Sequence, residues 1–271
     1  MEMLNLGCGK CFHSAWVNVD FSGRPPDVLG CDLRKGIPFA SSGFQVVYHS
    51  HLLEHFPREL ADGFLEECYR VLAAGGVLRV VVPDLERIVT LYLERLNAAL
   101  GGQPGAEKDY DWLMLELYDQ TVRSESGGAM KRYLERADIP NRAFVASRMG
   151  SLQQARRGGQ IPEHQRRRKL STSRRLPRFK TWRERLTKGI LGAEYEILKE
   201  GRFRRSGEVH LWMYDRFSLA RLLRSVGFVD IRRCEAGESA IPNWDVYRLD
   251  VESDGSVRKP DSLFMECRKP G

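Results

Sequence analysis

The sequence predicts an α/β fold of the doubly wound kind, and three observations predict it. Met3-Leu4-Asn5-Leu6 is a short, mostly apolar run that stops at Gly7-Cys8-Gly9, as a buried strand feeding a glycine turn does. Two more short runs each end on an acid: Trp16-Val17-Asn18-Val19 on Asp20, and Val28-Leu29-Gly30-Cys31 on Asp32. Further on, a helix-period stretch leads into the β-branched run Val77-Leu78-Arg79-Val80-Val81-Val82. Strands alternating with helical stretches form parallel sheets. Glycine lets a backbone approach a ligand without a Cβ in the way. In such folds an acid at the tip of the next strand accepts hydrogen bonds from a ribose. The three strand tips therefore outline a nucleoside-ligand site.

That ligand is not a dinucleotide. The third glycine of the dinucleotide fingerprint is missing, because Cys11 and Phe12 follow Lys10. Gly7 and Asp20 are only 13 residues apart, where a dinucleotide site needs about 20.

The remaining elements follow in order. Phe44-Gln45-Val46-Val47-Tyr48 is the fourth strand, and His49 to Phe56 lie at its carboxyl end, where open α/β sheets bind ligands. Pro57 suits a first helical position. Leu60, Phe64, Cys68, Val71 and Leu72 give one apolar face at helical spacing, and Gly75-Gly76 is expected to cap that helix. The fifth strand, Val77–Val82, closes at Pro83-Asp84. From Leu85 the period changes. A helix is expected to Leu100 with Ile88, Leu91, Tyr92, Leu96 and Ala99 on its face, and another over 109–121 carrying Trp112, Leu115 and Tyr118. Residues 85–205 thus read as a helical, irregular insertion beside the place where a substrate would lie. The core resumes at Glu208–Asp215. Asp215 is a good N-cap, and Phe217, Leu219, Leu222, Leu223 and Val226 supply a buried face ended by Gly227. Phe228–Arg232 and Ser262–Cys267 are the last two strands.

Composition narrows the classes. The chain has 271 residues, 42% of them hydrophobic, which suits one large or two small soluble domains. No apolar run approaches the roughly 20 residues that span a bilayer, and the N-terminus reads as no signal peptide, so a cytoplasmic protein is expected. The six scattered cysteines read as reduced thiols. Cys8 and Cys11 have no second pair at zinc spacing, so no metal is expected. The net charge of +7 is local: residues 156–188 hold 13 Lys/Arg and two acids, a net +11, and the rest of the chain carries −4. From Leu176 the residues Phe179, Trp182, Leu186 and Ile190 recur with Arg and Lys between them. That basic amphipathic pattern suits packing on the core, an anionic partner or a membrane surface. Nucleic acid is not the expected partner, because no RNA-binding motif accompanies the arginines.

The series from Leu-Asn-Leu-Gly-Cys-Gly (4–9) through Val-Asn-Val-Asp (17–20) to Cys-Asp-Leu (31–33) resembles class I S-adenosylmethionine-dependent methyltransferases, closest to the bacterial predicted-methyltransferase type associated with glycan and natural-product pathways. Leu72-x-x-Gly75-Gly76, His210-x-Trp212-Met213-Tyr214-Asp215 and Lys259-Pro260-Asp261-Ser262-Leu263-Phe264 look like the same family. The resemblance covers 1–84 and 206–271, expected to form the cofactor-binding domain, and leaves out 85–205. It implies a Rossmann-like sheet of seven strands, the last antiparallel, with helices on both faces and the insertion as a lid. It implies S-adenosylmethionine as cofactor, with Gly7, Cys8 and Gly9 under its methionine part, Asp20 on the ribose, and Asp32 with Leu33 at the adenine. Asn5 stands where the family often has an acid. Ser50, His51, Glu54 and His55 are expected to complete the cofactor site.

A hydroxyl acceptor needs a base, and histidine titrates in the right range. His51, just past strand four, and His210, where the chain returns from the insertion, are the candidates. The expected reaction is methylation of a hydroxyl on a sugar or secondary metabolite. The alternatives are a peptide or protein acceptor gripped by the basic insertion, and a non-catalytic cofactor-binding subunit. An exocyclic base amine is a poor fit, because His49-Ser50-His51-Leu52 occupies the place where those enzymes carry an Asp/Asn/Ser-Pro-Pro-Tyr motif.

Overall fold

A computed structural model describes residues 1–150 and 186–271. Most of the basic stretch 156–188 and of the expected amphipathic helix from Leu176 lies outside the described residues. No described helix is long and apolar enough to cross a membrane.

Seven strands form one sheet: β1 (Met3–Leu6), β2 (Val17–Asp20), β3 (Leu29–Gly30), β4 (Phe44–Ser50), β5 (Leu72–Pro83), β6 (Val229–Cys234) and β7 (Ser262–Arg268). Their order is β3-β2-β1-β4-β5-β7-β6. The pairings from β3 through β5 are parallel, and β7 runs antiparallel to both β5 and β6. Strand order reverses between β1 and β4, which opens a crevice at their carboxyl ends.

Period-two alternation in the central strands separates two cores. Leu4, Leu6, Val47, Leu78, Val80 and Val82 pack against helix α1 (Arg58–Val71) and the helix Arg216–Val226. Met3, Val46, Tyr48, Val77 and Val81 face the other way. There the expected layer of helices is absent among the described residues. Trp16 and the segment 234–257, with Trp244 in a single helical turn, cover that face instead. The connections explain this: only Gly7–Trp16 join β1 to β2, too few for a crossover helix.

Two elements and two expected core residues differ from the sequence reading. α1 ends at Val71, and Leu72 is already extended and paired with Phe44, so Gly75-Gly76 lie inside β5 and do not cap the helix. Leu60 and Phe217, expected on buried faces, are 54% and 67% exposed. The helix expected over 109–121 is broken. Helix α3 (Ala106–Met114) passes into a π-helical turn, Leu115–Asp119, which leaves Tyr118 exposed and turns Glu116 and Asp119 inward. Such turns re-aim side chains.

After β5 comes α2 (Leu85–Leu100), capped by Asp84, which accepts from the Arg87 amide at 3.2 Å. It packs on α3. Helices α4 (Gly128–Leu134) and α5 (Arg142–Met149) follow. Trp112, Met130, Tyr133, Ile139 and Val145 form a small core of their own. The Glu116 carboxylate accepts from Arg148 at 2.7 Å and from the Trp112 indole. Asp119 accepts from the Ala129 amide at 2.6 Å and so fixes the start of α4. At Gly150, φ is +55° and a Cβ would fall 2.5 Å from the Arg258 carbonyl. The insertion therefore docks backbone to backbone on the segment that leads into β7.

Arg79 ties that segment to the sheet. Fully buried in β5, its guanidinium pairs with Asp250 and Glu266 at 2.8 Å each. It also donates to the carbonyls of Glu235, Ala236 and Glu238, and lies 4.6 Å from the Trp244 ring centroid. The Tyr48 hydroxyl donates to the second Asp250 oxygen at 2.6 Å. One buried cation thus organises residues 235–250 over the sheet, and the chain beyond them returns to the crevice at Arg258 and Lys259.

Candidate active site

The turn after β1 is built to stay open. Gly7 has φ +63°, and a Cβ there would meet the Leu52 side chain at 2.9 Å. The Cys8 amide donates to the Val19 carbonyl at 3.1 Å, and the Cys11 amide closes the turn onto Cys8 at 2.9 Å. The Gly9 amide donates to Asp20 at 2.9 Å, and Arg24 donates to the Gly9 carbonyl. The other Asp20 oxygen accepts from the Ser22 amide at 2.9 Å. Two backbone donors thereby orient the half-buried Asp20 carboxylate at the rim. Asp32 caps the turn Leu33–Lys35 and pairs with Arg34 at 2.8 Å, and the guanidinium hydrogen bonds hold its carboxyl below the usual carboxylate range.

Two clefts meet over this turn. The first, about 670 Å³, is lined by Gly7, Asp20, Asp32, Leu33, His51 and His55, with Leu60 at its edge. The second, about 420 Å³, is lined by Asn5, Cys8, Gly9, Ser50, Arg258 and Lys259, and shares Gly7 and His51 with the first. Asn5 donates its amide to the Asn18 side chain at 3.1 Å and to the Cys11 carbonyl at 3.3 Å. Cys8 is buried, which pushes its thiol up to about 11.

His51 stands at the junction in a left-handed conformation, φ +52°. That backbone state is costly for a non-glycine residue and clusters at functional sites. Its Nε2 is 2.8 Å from the Ser262 hydroxyl and its Nδ1 is 3.4 Å from Glu54. Burial pushes the His51 imidazole well below its ordinary pKa, and Lys259, His210 and His55 add to this. Glu54 is completely buried, with neither carboxyl oxygen hydrogen-bonded, and burial raises it to about 8. His55 faces the Val209 carbonyl at 3.1 Å.

The structure does not bring His210 to either cleft. It is buried behind Glu54, its Nε2 4.0 Å from that carboxylate and its ring 4.9 Å from the His55 ring. Burial lowers it to about 3. Donor atoms of Glu54, His55 and His210 lie within 4.8 Å of one another. The sequence reading missed Tyr48, Arg258, Lys259 and Ser262. The last two lie in the Lys259–Phe264 run, whose pattern was visible without a role.

Residues 12–80 match the family model described as "Methyltransferase domain". The strand order, with β7 inserted antiparallel between β5 and β6, is the sheet that goes with it. Over residues 12–80 the chain is similar to methyltransferases, whose cofactor is S-adenosylmethionine. The site's residues fit the cofactor: the positive-φ glycine turn leaves room above it, and the Asp20 carboxylate opens on the larger cleft. No curated protein matches the chain. Solved structures with similarity include a Haloferax volcanii putative methyltransferase in complex with the Trm112 methyltransferase activator (12% identity, covering 100% of this chain and 83% of that one, TM-score 0.40). An Archaeoglobus fulgidus SAM-dependent methyltransferase is 11% identical over 99% of this chain and 86% of the other, TM-score 0.38. A Thermotoga maritima SAM-dependent methyltransferase, titled a possible histamine N-methyltransferase, is 12% identical over 99% and 82%, TM-score 0.37.

Proposed function

We propose that this methyltransferase acts on a hydroxyl of a sugar or secondary metabolite, with His51 as the base. The observation that supports this is the position of His51, the one histidine shared by both clefts. When bound, the cofactor supplies an activated methyl group. Asp20 and Asp32 hold its ribose and adenine ends in the larger cleft, and Gly7, Cys8 and Gly9 lie under its methionine part.

The acceptor shares the second cleft with that methionine part, beside Ser50 and His51. Ser262 and Glu54 fix the imidazole from two sides. With Glu54 ionised, Nδ1 carries its proton toward the carboxylate, and an acceptor hydroxyl that takes the place of Ser262 at Nε2 gives its proton to that lone pair. His210 and His55 are positioning residues: they wall Glu54 from water and so set its protonation. The insertion docks at Gly150 on the segment carrying Arg258, and its last residues, Arg204 and Arg205, line the larger cleft.

The test is transfer from methyl-labelled S-adenosylmethionine into a host lysate split into small-molecule, glycan, protein and nucleic-acid fractions. Label is expected in the first two and absent with Asp20→Ala. Label confined to protein or nucleic acid would overturn the hydroxyl-metabolite reading.

A further inference from the structure

Lys259 lines the second cleft, yet its ammonium makes no hydrogen bond and no ion pair among the described residues. The acids that act on it electrostatically are Glu54, Asp261 and Asp250. None of them touches it: Asp250 is paired with Arg79 at 2.8 Å, and no carboxylate oxygen of Glu54 or Asp261 lies within ion-pair distance of the ammonium. A half-buried lysine without a counter-charge is costly, and its neighbour shows what a structural cation looks like here. Arg258 pairs with Glu252 at 2.8 Å and donates to the carbonyls of Arg248 and Val251. Lys259 does none of this.

The surroundings extend the argument. The second cleft continues into a third cavity of about 320 Å³, sharing Lys10, Cys11, Leu249 and Arg258 and adding Arg248 and Tyr247. Lys10 and Arg248 are exposed there. The passage is therefore cationic from His51 outward, with no carboxylate among its lining residues. A cleft lined by cations raises the local concentration of anions.

We propose that Lys259 binds an anionic group of the acceptor, a carboxylate or a phosphate, and so places the hydroxyl beside it at His51. This rests on the hydroxyl-acceptor reading and adds the acceptor's charge. An uncharged sugar would leave the ammonium unpaired, so the site selects against neutral acceptors as well as for charged ones.

The test is calorimetric titration of the full chain saturated with S-adenosylhomocysteine, so that the cofactor's own carboxylate subsite is filled. The titrants are glucose 6-phosphate, glucuronate and glucose. At least one anion is expected to bind at least 10-fold tighter than glucose, and the two anions separate phosphate from carboxylate. Lys259→Met is expected to abolish that preference, Lys259→Arg to retain it, and both to bind S-adenosylhomocysteine as the wild type does. Anions binding no better than glucose, or equally well to Lys259→Met, would overturn the proposal. Lost S-adenosylhomocysteine affinity in Lys259→Met would also overturn it, assigning the lysine to the cofactor. Failure of the wild type to bind S-adenosylhomocysteine would instead overturn the reading beneath it.

Discussion

Glu54 and His51 face each other across 3.4 Å, a fully buried carboxyl and the imidazole at the junction of the two clefts. The pair sets a direction for activity against pH. Burial raises Glu54 to about 8, so at pH 6.5 it is a neutral acid. A neutral carboxyl donates to Nδ1 and occupies the lone pair that the base needs to shift to Nε2. As pH rises through about 8 the carboxylate forms, Nδ1–H turns to it, and Nε2 becomes the acceptor. Turnover is therefore expected to rise between pH 6.5 and 9. Glu54→Gln should flatten that rise and lower kcat by about 10²-fold. Rate–pH profiles of the two forms at saturating cofactor check this. A rise of equal size in the variant would remove Glu54 from the mechanism.

His49 is a second buried histidine with a different lesson. It lies in β4, packed on the Phe64 ring at 5.2 Å, and neither ring nitrogen has a hydrogen bond. Burial lowers it to about 3. An unpartnered buried polar group costs roughly 1–3 kcal/mol, so His49→Leu is expected to stabilise the protein. The sign with pH follows from linkage. Below its unfolded pKa near 6.5, the unfolded chain binds a proton that the folded chain refuses. Stability held above that pH is lost as it falls toward 3. Urea midpoints at pH 5 and 7.5 should lie closer together in His49→Leu than in the wild type.

Much of this was legible in the sequence, and the reasons are local. The glycine turn, Asp20 and Asp32 are short-range signals: an apolar run, a glycine, an acid at a strand tip. The seven strands could be placed because each is a largely apolar run bounded by turn residues. What failed depended on distant parts of the chain. Nothing near Gly75 says that Leu72 already pairs with Phe44, across a connection that includes α1. The break at Leu115 comes from Glu116 turning in to meet Arg148, 32 residues later. His210 was visible at the insertion boundary, but only the structure shows its Nε2 4.0 Å from Glu54 and outside the lining of both clefts. Lys259 sat in a recognised pattern, and only the cleft reveals that its ammonium lacks a partner.

Arg79 should be the most sensitive single position on the sheet face covered by residues 234–257. It is fully buried between Asp250 and Glu266. Arg79→Met removes one cation and leaves two buried carboxylates facing each other. Breaking a buried pair from one side costs about 3–5 kcal/mol. The loss should be regional before it is global. Amide exchange in residues 235–261 is expected to accelerate more than in β1 or β4, because the carbonyls of Glu235, Ala236 and Glu238 lose their shared donor. Hydrogen exchange read by mass spectrometry would show it, and uniform acceleration across the sheet would argue that Arg79 does not organise that segment in particular.

Asp20 carries two jobs that substitution can separate. Its carboxylate accepts from the Gly9 and Ser22 amides, and so shapes the turn before any ligand arrives. As the proposed ribose acceptor it also contributes charge-assisted hydrogen bonds, worth about 1.5–3 kcal/mol. Asp20→Ala loses both, so affinity for S-adenosylhomocysteine is expected to fall by about 10- to 150-fold from the ribose contacts alone. Asp20→Asn keeps one carbonyl oxygen, which can hold the Gly9 amide but cannot accept from both amides and a ribose together. Its loss should be intermediate, and its thermal midpoint without ligand should stay nearer the wild type than that of Asp20→Ala. Equal affinity losses in the two variants would mean that the negative charge matters more than the geometry of the turn. Unchanged affinity in both would move the ribose away from Asp20.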